Sequence, residues 1–219
     1  INDNIGFAGL AQIKKDALAR TPNVALVDAG DAIQGAPIGK LSRGLAVVNI
    51  MNYLGYDFCI PGNHEFDYGM DRFLELVPLQ RAGYYCANFV YAGNNKQVLP
   101  GYKIMQYEDT KVAFVGASTP ESLTTSTPTF FQNEKGKYIY SFCEDKTGNK
   151  LYKQLQKNVD KARKDGADYV FIVGHLGMDG TTPQWSSESV AKKERIKNTY
   201  LFDAIPRLAK IIIGISCRI

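Results

Sequence analysis

The chain is expected to fold as an α/β protein in which mixed β-sheets are flanked by helices. Three observations carry this expectation. Short runs rich in β-branched and aromatic residues alternate with longer amphipathic segments, the order that produces layered α/β folds. Two adjacent β-type runs, Tyr102 to Tyr107 and Lys111 to Val115, are joined by the polar Glu108-Asp109-Thr110 and read as a hairpin, which makes the sheet arrangement mixed. With 219 residues, 45% hydrophobic and 22% charged, the chain can bury a sizeable core as one domain over 1–219 and is too short for two large ones.

The elements follow in order. Residues 6 to 20 place Leu10, Ile13, Ala17 and Leu18 near helical period, and Pro22-Asn23 breaks the segment. Val24 to Val27 reads as a fully buried strand that runs into Asp28-Ala29-Gly30-Asp31. A loop punctuated by Gln34-Gly35-Ala36-Pro37 leads to a helix with Val47, Val48, Met51 and Leu54 on one face, capped at Gly55. Asp57 to Ile60 is the next strand, followed by Gly62-Asn63-His64-Glu65-Phe66-Asp67 at a strand-to-helix turn. Met70, Phe73, Leu74 and Val77 define a helix stopped by Pro78, and Tyr84 to Val90 reads as a third strand ending near Asn88. Residues 118 to 143, rich in Thr, Ser, Pro and aromatics without a period, read as a long surface excursion. Leu151, Leu155, Val159 and Ala162 give a helix closed by Gly166, and Asp168 to Val173 a buried strand ending in Gly174-His175-Leu176-Gly177. In the tail, residues 186 to 210 read as partly helical with a break at Pro206, and Ile211-Ile212-Ile213 as a strand.

Composition narrows the function. The net charge of +4 is spread over lysine-bearing helical stretches such as Lys14-Lys15 and Lys161 to Lys164, which are solvated helix faces rather than a footprint for a nucleic-acid polymer. No apolar run is long enough to span a bilayer. No signal peptide is recognisable, and the chain begins at Ile1 rather than Met, as a mature or trimmed product would. Cys59, Cys86, Cys143 and Cys217 show no CxxC or zinc-type spacing, and Cys59 and Cys86 lie in strand-like runs as small hydrophobes.

The chemistry collects at three strand ends: Asp31, the Asn63-His64 pair, and His175, each preceded by a glycine, Gly30, Gly62 and Gly174. Open α/β sheets bind ligands at the carboxyl ends of their strands, and a glycine there lets the following side chain swing to the edge. Carboxylate, amide oxygen and imidazole together suit Mn, Zn, Fe or Mg-type cations and exclude a thiolate-type structural zinc. Singly, each residue is better read as a cap, a turn former or a hydrogen-bonded histidine; the matched punctuation and the placement of both histidines of the chain favour a metal site. His64-Glu65 is not part of HExxH, and no P-loop, GxSxG elbow or strand-borne GxGxxG is present. No cysteine stands at a helix start of the kind that lowers a thiol pKa.

Asp28-Ala-Gly-Asp31 with Gln34-Gly35, then Gly62-Asn-His-Glu-Phe-Asp67-Tyr-Gly69, then Gly174-His175-Leu-Gly177, resemble the calcineurin-like metallophosphoesterases, and more narrowly the catalytic N-terminal domain of the bacterial 5'-nucleotidase family. The resemblance runs from about Gly6 to Asp179 and includes Thr119-Pro120-Glu121. It implies a layered sandwich of mixed sheets with helices outside and two divalent metal ions of Mn, Zn, Fe, Mg or Co type. Asp31 would bridge the metals, Asn63 and His175 would be ligands of one of them, His64 would stabilise the attacked phosphoryl group without ligating, and Asp67 would orient His64. Glu65 would be structural. The implied reaction is release of phosphate from a nucleoside monophosphate. Cyclic-nucleotide phosphodiesterase and nucleotide-sugar hydrolase activities are alternatives within the family, and a non-catalytic metal- or nucleotide-binding module is the alternative outside it. The resemblance also implies an extracellular, cell-surface or periplasmic location and a C-terminal nucleotidase domain in the full-length protein.

The family pattern further calls for an Asp-x-His motif before Gly6-Phe7-Ala8-Gly9-Leu10-Ala11 and a Gly-His-x-His motif after the last strand. No histidine stands two residues after Asp3, and the last strand runs instead into Gly214-Ile215-Ser216-Cys217. A fragment with altered ends, a sequence that omits residues, and a relative that has lost catalysis are the three readings this leaves open.

Overall fold

The computed structural model describes residues 6–177, 184–193, 199–203 and 210–214. In chain order its elements are α1 (Gly6–Leu18), β1 (Val24–Asp28), α2 (Pro37–Ser42), α3 (Leu45–Leu54), β2 (Phe58–Cys59), α4 (Met70–Leu76), β3 (Val90–Tyr91), β4 (Tyr102–Tyr107), β5 (Thr110–Ser118), α5 (Ser122–Thr125), β6 (Tyr140–Ser141), α6 (Asn149–Lys164), β7 (Tyr169–His175), α7 (Ser187–Lys193), β8 (Thr199–Asp203) and β9 (Lys210–Gly214). Single 3-10 turns stand at His64–Phe66, Val77–Leu79 and Pro128–Phe131.

The strands form two principal sheets. In one, β1 lies between β2, to which it is parallel, and β9, to which it is antiparallel. In the other, the order is β4-β5-β7-β8, with the β4–β5 hairpin antiparallel and β5, β7 and β8 mutually parallel. The hairpin closes on Glu108 and Asp109, because Tyr107 pairs with Thr110 and Glu108 takes a φ of 51°.

Alternation along the strands assigns the layers. Ala25, Val27 and Ala29 from β1 and its exit, Phe58 and Ile60 from β2 and its exit, and Val112, Phe114 and Val173 from the second sheet share one buried cluster, the core between the sheets. The opposite face of the second sheet presents Ala113, Val115, Ala117, Val170 and Ile172 to Leu151, Leu155, Val159 and Ala162, the apolar stripe of α6. The opposite face of the first sheet packs Leu26 and Cys59 with Val47 and Met51 of α3 and Phe73 of α4. The result is helices, sheet, sheet, helix, the sandwich of mixed sheets expected from the sequence. Gly55 ends α3 with a φ of 67°, and its N–H donates to Asn52 O, as the sequence indicated.

Several expectations need correction. The segment 118–143 is no surface excursion: Phe131 and Phe142 are fully buried, and their rings lie 5.2 and 5.5 Å from Phe66. Spacing could not reveal this, because the rings are delivered by short turns and by the small β3–β6 ribbon rather than by a helix or a long strand. The run Tyr84 to Val90 is not one strand: Tyr85 N–H donates to Cys59 O, Cys86 N–H to Pro100 O and Ala87 N–H to Gly116 O, so the extended chain passes between partners and pairs regularly only at Val90–Tyr91. The loop expected at Gln34 to Pro37 is shorter, since Pro37 occupies the first turn of α2. In the tail, β8 was not foreseen, whereas β9 covers the expected Ile211-Ile212-Ile213. Pro206 and Cys217 lie outside the described residues.

Candidate metal and phosphoryl site

The site forms where the carboxyl ends of β1 and β7, from opposite sheets, meet the turn that follows β2. Two successive residues with positive φ, Gly30 at 93° and Asp31 at 62°, bend the chain sharply after β1; aspartate is among the few side-chain-bearing residues that tolerate this region. Glycine at 30 and 62 is required by contact. A Cβ on Gly30 would stand 2.5 Å from the nitrogen of Gly62, and one on Gly62 would collide with Asp31 Oδ1 and stand 2.9 Å from His175 Cε1.

Asp31, Asn63 and His175 converge. His175 Nδ1 lies 2.9 Å from the carbonyl oxygen of Ala29, so that nitrogen carries a proton and donates it. Its Nε2 then faces two oxygens, Asp31 Oδ2 at 3.2 Å and Asn63 Oδ1 at 3.2 Å. Asp31 Oδ1 accepts the His64 backbone N–H at 2.9 Å. Burial opposes charge on both ring and carboxylate, yet their mutual hydrogen bond and attraction prevail. The pKa of His175 rises to about 9, and Asp31 is held below the ordinary carboxylate value.

This donor set fits a cation. With Nδ1–H committed to Ala29, a neutral His175 directs its Nε2 lone pair at two oxygen acceptors, an arrangement relieved either by a second ring proton or by a metal ion between nitrogen and oxygens. Among the described residues no group of three or more His, Cys, Asp or Glu side chains is gathered to hold a metal; the donors here are one carboxylate, one imidazole and one amide.

His64 and Asp67 form a second unit. His64 Nδ1 is 2.7 Å from Asp67 Oδ2, across a single 3-10 turn, and the imidazole remains 45% exposed. Burial lowers the pKa of His64, but the hydrogen bond to Asp67 and the charge of Asp31 outweigh it, and the net shift is upward. The ring is thus oriented at Nδ1 and reachable from solvent.

Glu65 proves central to the local architecture. Fully buried, it accepts the N–H of Gly62 at 2.6 Å and of Asp31 at 2.7 Å through Oε2, and of Ala32 at 2.7 Å and Ile33 at 3.3 Å through Oε1. One carboxylate therefore binds the loop carrying Asp31 to the turn carrying Asn63 and His64. Burial and the Asp31 charge raise its pKa, against the pull of these N–H donors. Its neighbour Phe66 anchors the turn from the other side, with rings of Phe73, Phe89, Phe131 and Phe142 at 5.0 to 5.6 Å. Sequence reasoning missed Ser126, whose hydroxyl donates to Asn63 O at 2.6 Å; it stands in a Ser/Thr-rich stretch where no spacing singles it out.

Among the described residues no thiol nucleophile fits. Cys59, Cys86 and Cys143 are buried and free, and burial pushes Cys86 and Cys143 up to about 12. Among the described residues no helix is long and apolar enough to cross a membrane.

The chain is similar in sequence and fold to known proteins. The chain is 26% identical to a 2',3'-cyclic-nucleotide 2'-phosphodiesterase/3'-nucleotidase of Haemophilus influenzae, over 99% of this chain and 33% of that protein. It is 32% identical to the human 5'-nucleotidase over 79% of this chain and 28% of that protein. The chain thus spans about a third of the length of these relatives. Among solved structures, the Thermus thermophilus sulfate thiohydrolase SoxB in complex with glycerol superposes with a TM-score of 0.71 at 28% identity, over 87% of this chain and 32% of that one. The calcineurin-like phosphoesterase family pattern matches residues 1–205, and the chain belongs to that family.

Proposed function

We propose that this domain hydrolyses phosphate monoesters of nucleosides, as a 5'-nucleotidase does, at a centre of two divalent cations. Asp31, Asn63 and His175 would hold the cations, and His64 would act on the phosphoryl group. The observation that carries the reading is the convergence of His175 Nε2, Asp31 Oδ2 and Asn63 Oδ1 beside an exposed, Asp67-oriented imidazole. The names of the relatives, a 5'-nucleotidase and a cyclic-nucleotide phosphodiesterase/3'-nucleotidase, support a nucleotide substrate.

When bound, the cations supply Lewis acidity toward phosphoryl oxygens and lower the pKa of the attacking water. The chain's own residues do the rest. Asp67 fixes His64 with Nε2 outward and stabilises its cationic form, so that Nε2–H donates to a phosphoryl oxygen as charge develops on it. Glu65 keeps the Asp31 loop and the Asn63-His64 turn in one geometry. A two-metal centre needs more donors than these three; the family resemblance puts the further imidazoles and carboxylate on an Asp-x-His and a Gly-His-x-His motif, neither of which this sequence carries. By the same resemblance, a C-terminal domain would select the nucleoside.

The test is an assay of the full-length protein with Mn²⁺ against nucleoside 5'-monophosphates, 2',3'-cyclic nucleotides and nucleotide-sugars. His64→Ala is expected to lower kcat by on the order of 10²–10⁴-fold. An inactive wild type, or a His64→Ala variant with full activity, would overturn the proposal. Preference for the cyclic substrates would instead favour the phosphodiesterase reading that the Haemophilus relative suggests.

A further inference from the structure

We propose that Ser126 is a positioning residue for the metal centre, holding the Asn63-His64 turn through the backbone carbonyl of Asn63. The inference rests on the metal-site reading above. The turn is weakly held by its own backbone: its 3-10 hydrogen bonds, Phe66 N–H to Asn63 O and Asp67 N–H to His64 O, are both long at 3.4 Å. External contacts therefore set its geometry. Glu65 fixes it to the Asp31 loop, and Phe66 fixes it to the aromatic cluster. Both act on residues after Asn63 or on Gly62 before it. The peptide joining Asn63 to His64 is held at both edges: His64 N–H donates to Asp31 Oδ1 at 2.9 Å, and Asn63 O accepts from Ser126 Oγ at 2.6 Å, the shorter bond.

The geometry of the donor suits this role. Ser126 is 7% exposed and follows directly on α5, with its N–H donating to Ser122 O at 3.3 Å. The segment that carries it is anchored without the Ser126 hydroxyl. The Asn88 amide donates to Ser118 O at 2.7 Å and Phe142 O at 2.9 Å and accepts from Ser118 N–H at 3.0 Å, and Phe131 and Phe142 are buried against Phe66. Ser126 thus reaches the turn from a fixed platform. Without the Ser126 bond, that peptide keeps the His64 N–H bond to Asp31 at one edge and only the long Phe66 N–H bond at the other, so it can tilt, shift Asn63 Cα and carry Oδ1 from its place 3.2 Å from His175 Nε2. The segment 118–143, expected from sequence to cross the surface, becomes a support for a metal ligand.

The experiment compares wild type, Ser126→Ala and Ser126→Thr in the full-length protein. Mn²⁺ binding is measured by calorimetry, metal-free thermal unfolding is followed, and kinetics are recorded with adenosine 5'-monophosphate. Ser126→Ala is expected to lose about 10-fold in Mn²⁺ affinity, the scale of outer-shell support for a metal ligand. Its kcat should fall while KM stays unchanged, and its metal-free melting temperature should fall by no more than about 5 °C, the scale of one lost hydrogen bond. Ser126→Thr, which keeps the hydroxyl, should restore affinity. Wild-type Mn²⁺ affinity and kcat in Ser126→Ala would overturn the inference, as would an affinity loss accompanied by a fall in melting temperature well beyond about 5 °C. A wild type that binds no Mn²⁺ would overturn the metal reading and this inference together, whereas a binding wild type with an unaltered Ser126→Ala overturns the inference alone.

Discussion

Replacing Glu65 with Gln changes one buried oxygen to an NH2 group and leaves the shape of the side chain intact. The wild-type carboxylate accepts from Gly62, Asp31, Ala32 and Ile33, two N–H groups on each oxygen. A glutamine oxygen can serve one pair, Gly62 and Asp31 being the closer, and its NH2 group then confronts the N–H groups of Ala32 and Ile33 donor to donor. A buried donor left without an acceptor costs about 1–3 kcal/mol, so two cost roughly 2–6 kcal/mol. That is a large part of the 5–15 kcal/mol by which domains are commonly stable. Urea unfolding of the full-length protein should show the midpoint falling with little change in slope, and Mn²⁺ affinity should fall as Asp31 loses its tether to the turn. The substitution also probes charge, because Gln is the isostere of the protonated acid. Burial raises the pKa of Glu65, yet both oxygens accept N–H donors and neither has room for a proton of its own. If Glu65→Gln were within about 1 kcal/mol of wild type with unchanged metal affinity, the carboxyl would be neutral in the native state, and its role as an ionic clamp would be refuted.

Two further outcomes follow from the same structure. Gly62→Ala brings no positive-φ strain, but its Cβ would stand 2.9 Å from the Asp31 backbone nitrogen and displace Asp31 Oδ1 and His175 Cε1; urea unfolding should show reduced stability and calorimetry Mn²⁺ affinity reduced by at least about 10-fold. Asp145 accepts N–H groups of Thr147, Asn149 and Lys150 at the start of α6; desolvation raises its pKa, but these hydrogen bonds together outweigh it and lower the pKa from 3.8 to about 2. Because the folded pKa is depressed, its contribution is complete above about pH 4 and lost as pH falls toward 2. Asp145→Ala should therefore cost about 0.5–1 kcal/mol at pH 7, the lower part of the range for helix caps because the group is exposed. The gap from wild type should close in unfolding curves measured near pH 2.

The sandwich and its site were legible to different depths, for physical reasons that particular residues make plain. The long elements carry their signal in periodicity: Leu151, Leu155, Val159 and Ala162 lie on the face of α6 that meets the second sheet, as their spacing indicates. Asp31, the Asn63-His64 pair and His175 stand out because strand ends with a preceding glycine are where a chain can bring polar groups to one point, whereas Asp67 is implied only by the family resemblance; the structure brings Asp31, Asn63 and His175 together and sets Asp67 against His64. Tyr84 to Val90 has strand composition but divides its hydrogen bonds between Cys59, Pro100 and Gly116, a tertiary arrangement that no local pattern encodes.

The least legible layer is the support of the site, and the reason is chemical. Glu65 acts on Asp31, Ala32 and Ile33, more than thirty residues away, by accepting backbone N–H groups, and Ser126 acts on Asn63, sixty-three residues away, by donating to a backbone carbonyl. Every residue but proline offers the same N–H, and every residue the same carbonyl, so the partner position leaves no side-chain signature. A metal ligand must be a particular side chain, and its identity shows in the sequence. A group that positions a ligand through the main chain needs only to be buried and in reach, and that follows from Phe66, Phe131 and Phe142 drawing segment 118–143 onto the turn.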